Sequence, residues 1–295
     1  MRIEPCRPDQ LDDVVALLDD EFVFSRGRSI SLARRYPQAL SVENLSRICV
    51  VTTAQTIGSI AVARRFSYLG ETETSNTAMI GFVYTRPGLR GRGIASQALR
   101  TLVEILDGEG TDAVVLWTSV PSFYARHGWI VRDESVVGRV AGRTDRNPTA
   151  DRVERAPAVD AADRIERLRR RWSDAGVIRS KAAYAALPLP ATSVEALFAD
   201  EGGEEGYALV GRNGSEGYLY ECGGSPSALS VLWAEVERSF ATVLVNERAD
   251  SPGSRWLKEH RGIELKEQGL TMWRSISGAP AVHSGAGHVP YFDRI

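Results

Sequence analysis

Apolar positions in the first third of the chain change period twice. Leu11, Val14, Val15, Leu18 and Phe22 recur three and four residues apart, which predicts an amphipathic helix over 8–22 entered through Pro8 and Asp9. β-rich runs over 46–53 and 57–68, joined by the polar Ala54-Gln55-Thr56, and a third over 77–85 together predict an antiparallel meander. The third run breaks at Arg86-Pro87-Gly88 and passes through Leu89-Arg90-Gly91-Arg92-Gly93 into helical spacing marked by Ile94, Ala98, Leu102 and Ile105. A mostly buried strand over 113–117, a short helix over 120–127 stopped by Gly128, and a strand over 129–131 follow.

Between 141 and 160 the pattern dissolves into Gly, Arg, Asp, Asn, Pro and Ala without a sustained apolar period, the mark of a domain boundary. A charged helix over 161–174 comes next. Strands over 207–211 and 217–221, a helix over 227–240, a strand over 241–246, a short helix over 254–261 and a strand over 270–275 then repeat part of the first pattern in element order. The expected division is a unit at 1–143, a linker at 144–160, a second, smaller α/β unit at 161–276 and a tail at 277–295 that is loop until the apolar Val289-Pro290-Tyr291-Phe292. A length of 295 residues suits two units at roughly 100–200 residues each.

Composition changes this picture only by exclusion. Lys and Arg number 36 against 38 Asp and Glu, a net charge of −2, which excludes a nucleic-acid binder driven by bulk charge. The start lacks a secretory pattern, and no run reaches the ~18 apolar residues of a membrane span, so a cytoplasmic protein is expected. Cys6, Cys49 and Cys222 are widely spaced with no ligand-spaced His, which indicates neither a disulfide framework nor a metal site; each is expected to be buried.

The sharpest chemistry lies in Arg90-Gly91-Arg92-Gly93-Ile94-Ala95. A helix start carries unpaired N–H groups and a positive dipole end; glycines let the backbone curl round an oxyanion, and Arg90 and Arg92 add charge, so a diphosphate is the natural occupant. No Gly-Lys-Ser/Thr follows, and two glycines do not fill G-x-G-x-x-G, which weighs against triphosphate and dinucleotide loops.

Residues 83–95 resemble the acetyl-CoA signature of the GNAT acyltransferases, with Arg90, Gly93 and Ala95 meeting its Arg/Gln-x-x-Gly-x-Gly/Ala positions, and Phe123-Tyr124-Ala125-Arg126-His127-Gly128-Trp129 is similar to the family's Phe-Tyr-x-x-x-Gly-Phe segment. The resemblance implies a GNAT fold, a mixed, mostly antiparallel α/β sheet flanked by helices, with acetyl-CoA as co-substrate. It implies that the pantetheine arm pairs with Val83, Tyr84 and Thr85, that the diphosphate sits on Gly91, Arg92, Gly93, Ile94, Ala95 and Ser96 beside Arg90, and that Ser119 lies near the thiol. It makes Tyr124 the acid that protonates the leaving thiolate. Residues 116–124 and the degenerate second half look like the enhanced-intracellular-survival-like branch, in which the chain terminus returns to the site as a carboxylate base; this would make Ile295 catalytic.

No acidic residue occupies 79–85, and Glu71, Glu73 and His127 read better as solvated or packed groups than as a base. The loop at 221–227 of the second half has no Arg, and Glu221 would repel phosphate, so that half is expected to shape the pocket or an interface. The function expected is direct acetyl transfer to a small-molecule or protein amine in a ternary complex, with no metal, no nucleic acid and no membrane partner, and self-association left open. The alternative is a non-catalytic acyl-CoA-binding or regulatory module.

Overall fold

The computed structural model describes residues 1–70, 74–143, 152–173, 175–276 and 288–295. Glu71 and Glu73, the first part of the expected linker (144–151) and the first part of the tail lie outside the described residues. The first half runs β1 (Arg2–Pro5), α1 (Leu11–Phe22), α2 (Leu32–Arg35), β2 (Ile48–Thr53), β3 (Thr56–Leu69), β4 (Thr74–Thr85), α3 (Ile94–Gly108), β5 (Ala113–Trp117), α4 (Pro121–Ala125), β6 (Ile130–Val131) and β7 (Ser135–Ala141). The second runs β8 (Glu154–Pro157), α5 (Ala162–Trp172), β9 (Gly176–Ile178), β10 (Ser193–Glu201), β11 (Glu204–Asn213), β12 (Glu216–Gly223), α6 (Pro226–Ser239), β13 (Thr242–Arg248), α7 (Pro252–Arg261), β14 (Lys266–Glu267) and β15 (Thr271–Ser275).

Two mixed, mostly antiparallel sheets result. One has the order β1-β2-β3-β4-β5-β15-β6, with β9 also on β3; the other has the order β14-β7-β13-β12-β11-β10-β8. The expected meander is present as β2, β3 and β4. Each sheet contains one internal parallel pair, β4 with β5 and β12 with β13. Strand pleating sends alternate residues to opposite faces, so both faces of the central strands are covered. In the first sheet, Ala61, Ala78, Ile80, Val114 and Leu116 pack on α3 through Ala98, Leu99, Leu102 and Leu106, while Ile60, Val62, Phe82 and Tyr84 pack on α1 through Val14 and Leu18. In the second, Leu197, Val210, Leu219 and Val245 meet α6 and α7, and Phe198, Leu209 and Tyr220 meet α5 and Phe292.

The halves exchange strands. β7 pairs along its whole length with β13, from Ser135 opposite Arg248 to Ala141 opposite Thr242, while β15 pairs with β5, from Thr271 opposite Trp117 to Ser275 opposite Ala113. The boundary expected at 143 therefore does not divide the sheets. β7, placed in the first unit, belongs to the second sheet, and β15, placed in the second, belongs to the first. Part of the expected linker is strand β8, paired with β10. Each donated strand completes an edge that would otherwise expose a row of unpaired backbone groups.

The end of the tail is packed into the molecule. At 288–295, His288, Val289, Phe292, Asp293 and Arg294 are buried. The Arg179 guanidinium bonds both Asp293 carboxylate oxygens, at 3.0 and 2.6 Å for Nε–Oδ1 and Nη2–Oδ2, and also Glu221, at 3.0 and 2.7 Å. Arg64 Nη2 donates to the Asp293 carbonyl at 2.7 Å, and Arg294 donates to Val289 O, Gln268 Oε1 and Ser135 Oγ at 3.0, 3.1 and 3.2 Å. Glu221 is thus a buried ion-pair partner that holds the tail down.

Candidate active site

β4 and β5 pair in parallel only from Thr77–Ala113 to Ile80–Leu116, after which they separate. A bulge follows at once: Ile60 faces Tyr84 and Val62 faces Gly81, so Phe82 and Val83 stand opposite Ala61 alone, with Phe82 at φ +48°. A bulky residue in that region costs on the order of 1–3 kcal/mol and persists only where its surroundings hold it. Phe82 is held by Phe22 and Tyr36, whose rings lie 5.9 and 5.4 Å from it. Beyond Ile80, the β5-facing edge of β4 has no strand partner among the described residues, so an extended chain can pair there.

The strand leads into the glycine loop. Gly91 and Gly93 adopt φ +76° and +73°, which L side chains rarely tolerate, and Gly93 is the N-cap of α3. Main-chain N–H groups from Gly91 through Ser96 meet no protein acceptor among the described residues. A cavity of about 410 Å³ lies against them, lined by Thr85, Arg90, Gly91, Gly93, Ile94, Ala95, Ser96, Phe123 and Arg126 among others. Arg90 is steadied by Nε donating to Thr85 O at 2.9 Å and by Glu21 at 3.5 Å. Of the residues expected to hold the cofactor, Thr85, Arg90, Gly91, Gly93, Ile94, Ala95 and Ser96 line this cavity; Val83 and Tyr84 form the adjoining bulge. Arg92 and Ser119 are exposed and do not line it. Sequence reasoning passed over Arg126, although it lies inside the Phe-Tyr segment one residue before His127.

Tyr124 is 8% exposed, wedged against Phe123 and Trp129 at 4.9 and 6.2 Å between ring centres. Burial pushes its hydroxyl up to about 12, so the proton stays on at neutral pH. His127 bonds Ser96 Oγ through Nε2 at 3.0 Å, fixing α4 to the start of α3.

On the opposite face of β4, the tail delivers Ile295. A methyl group on Gly81 would collide with the Ile295 carbonyl and stand 2.9 Å from its Cγ1. Ile295 packs with Phe82 and Tyr84 on one side and with Met79, Val115 and Trp273 on the other. Its main-chain end therefore lies where β4 and β5 separate. Asp19, by contrast, is structural: its carboxylate caps Leu32 N at 2.7 Å.

The cysteines are buried and unpaired. Burial raises the Cys6 and Cys49 thiols to about 11 and 12, and burial, with Glu247 beside it, holds the Cys222 thiol well above its usual value. None is a ready thiolate.

Residues 2–132 match the family model described as an acetyltransferase (GNAT) domain. No curated protein matches the chain. Among solved structures, a GCN5-related N-acetyltransferase from Kribbella flavida aligns over 93% of this chain and 70% of its own at 18% identity and TM-score 0.69. One from Anabaena variabilis aligns over 94% and 73% at 13% identity and TM-score 0.71. Eis1 from Mycobacterium abscessus aligns over 93% and 74% at 12% identity and TM-score 0.63. A splayed parallel pair, a bulge at the splay and an open glycine-capped helix define a GNAT fold. Residues 2–132 thus form a GNAT acetyltransferase domain, and the solved structures share the fold of the chain.

Proposed function

We propose that the chain transfers the acetyl group of acetyl-CoA directly to an amine. The observation that carries this reading is the run of unpartnered N–H groups from Gly91 to Ser96, facing a cavity that ends at the unpaired edge of β4. These amides, with Arg90 and Arg126, suit a diphosphate, and the edge at Val83, Tyr84 and Thr85 suits the peptide-like pantetheine arm. Acetyl-CoA supplies the activated acyl group. Tyr124 holds its proton through neutral pH and serves as the acid for the departing thiolate. The main-chain carboxyl of Ile295 at Gly81 serves as the base that takes the proton from the amine. Direct transfer follows from the buried, protonated state of all three cysteines, which leaves no thiolate to carry an acyl group.

The test is thiol release from acetyl-CoA across an amine panel, with Tyr124→Phe alongside. The expected result is a rate lowered by about a hundredfold or more at unchanged coenzyme A affinity. Binding of coenzyme A with no thiol release from any amine would instead mark a non-catalytic acyl-CoA-binding module.

A further inference from the structure

The second sheet holds a cavity that the cofactor reading does not use. About 280 Å³ opens on the face shared by Tyr218 and Tyr220 of β12 and Leu244 and Asn246 of β13, closed by Gln268 and by Tyr291 of the tail. Its walls are aromatic and aliphatic. The Tyr218 hydroxyl is engaged by Glu216 at 2.9 Å, and among the described residues lining the cavity there is no carboxylate.

One polar atom in this lining is unsatisfied: Asn246, 7% exposed, donates Nδ2 to Gln268 at 3.4 Å and leaves Oδ1 buried without a donor. The Tyr220 hydroxyl, also unpartnered, lies over Gly211 of β11, away from the cavity. Buried polar atoms in native structures are nearly always bonded, so each such atom calls for an explanation, and a ligand is one.

The tail links the cavity to the end of β5 and to Ile295. Arg294 donates to Gln268 Oε1 at 3.1 Å, and its guanidinium lies 5.6 Å from the Tyr291 ring and 5.7 Å from that of Trp117, the last residue of β5. Ile295 lies four positions after Tyr291, at most about 14 Å of chain, so the cavity wall and the residue packed on Gly81 fall within the length of one small extended molecule.

We propose that this cavity binds the non-reacting end of the acceptor, and that the acceptor is a small amine bearing a flat aromatic group with one hydrogen-bonding substituent. The assignment rests on the acetyl-transfer reading. Size agrees: a cavity of about 150 Å³ accepts benzene, and 280 Å³ adds room for a substituent and the start of an arm. Chemistry agrees as well, since the unsatisfied Asn246 Oδ1 matches the donor of a phenol or amide, whereas a polyamine would bury ammonium groups without a counter-charge in the lining.

Calorimetry on the full chain with coenzyme A present tests this, using tyramine, homologues with progressively longer arms, and spermidine. Phenolic amines are expected to bind at least about tenfold tighter than spermidine, and Leu244→Trp, which fills the cavity, and Asn246→Leu, which keeps its volume, should each weaken them about tenfold with coenzyme A affinity intact. Equal binding of both amine classes, or phenolic binding untouched by both variants, overturns the assignment even if other amines release thiol. Phenolic binding lost in both variants without thiol release from any amine overturns the acceptor role and the transfer reading, while the cavity stands as a binding site.

Discussion

The two sheets contain the same device in opposite states. In each, a parallel pair separates after four residues, at Ile80 in the first and Leu219 in the second, and in each the inner strand carries one extra residue there, at Phe82–Val83 and at Tyr220. Each splay is followed by a helix with Pro at its start, α4 or α7. The first splay is open. In the second, the Glu247 side chain reaches from β13 and its Oε1 accepts from Cys222 N at 2.7 Å, occupying the strand edge that stands free in the first. Gly253 of α7 packs directly on Cys222 Sγ, and Ser225 caps α6 by accepting from Ala228 N at 3.3 Å, using up a donor that glycine leaves free at α3. The frame is common; a few side chains decide whether its backbone is available to a ligand.

The largest expected effect breaks what joins the two regions. Arg179→Met leaves Asp293 and Glu221 buried without their shared cation. Burial alone would raise the Asp293 carboxyl, and Arg179 and Arg64 overturn that and hold it below the usual range. Loss of such a pairing costs about 3–5 kcal/mol, read by urea unfolding, and the loosened tail should also slow transfer.

Next, Gly93→Ala forces a side chain into φ +73° at the open helix start. A cost of about 1–2 kcal/mol should appear in coenzyme A affinity as roughly a tenfold loss. Gly203→Ala, at φ +84° in the β10–β11 turn, should cost stability alone; equal affinity losses in the two variants would detach the glycine loop from binding.

A smaller effect separates the regions by pH. Burial, with Glu221 nearby, raises Glu247 to about 8 from 4.5, so its contribution is complete below 4.5 and is lost as pH rises through 8. Glu247→Gln should flatten the fall in thermal midpoint across that window. His288 runs the other way: burial, with Arg294 adding, lowers it to about 3 from 6.5. Its contribution is present above 6.5 and is lost as pH falls toward 3, so acid should release the tail and His288→Asn should blunt that loss.

The smallest expected effect is a stoichiometry. Coenzyme A should bind once per chain, and Glu247→Ala should not add a second site, because α7 still packs on Cys222 through Gly253. Two equivalents by calorimetry would show that Glu247 alone closes the second splay.

Much of the site was legible because it is local. Gly91 and Gly93 must be glycine at their φ values, Arg90 and Ser96 lie within a few residues of them, and Tyr124 falls in a short motif. Arg126 was within reach as the remaining cation of that motif. Asn246, Gln268 and Tyr291 gave no signal, since each is an ordinary residue whose meaning comes from its neighbours. Strands β1, β7, β8, β9, β10 and β14 were not predicted, and β15 was placed with the second unit rather than on the edge of β5, because period-two apolar runs identify a strand but not the edge it completes.

The sequence by itself determined most of the helices and strands and the glycine-lined start of α3, because helical period, strand alternation and positive φ are properties of adjacent residues. Tertiary structure alone decided the strand exchange, the closure of the second splay and the placing of Ile295 against Gly81. Those depend on contacts such as Arg64 with Asp293, 229 residues apart, where the energy of a pairing is fixed by burial and geometry that no local pattern carries.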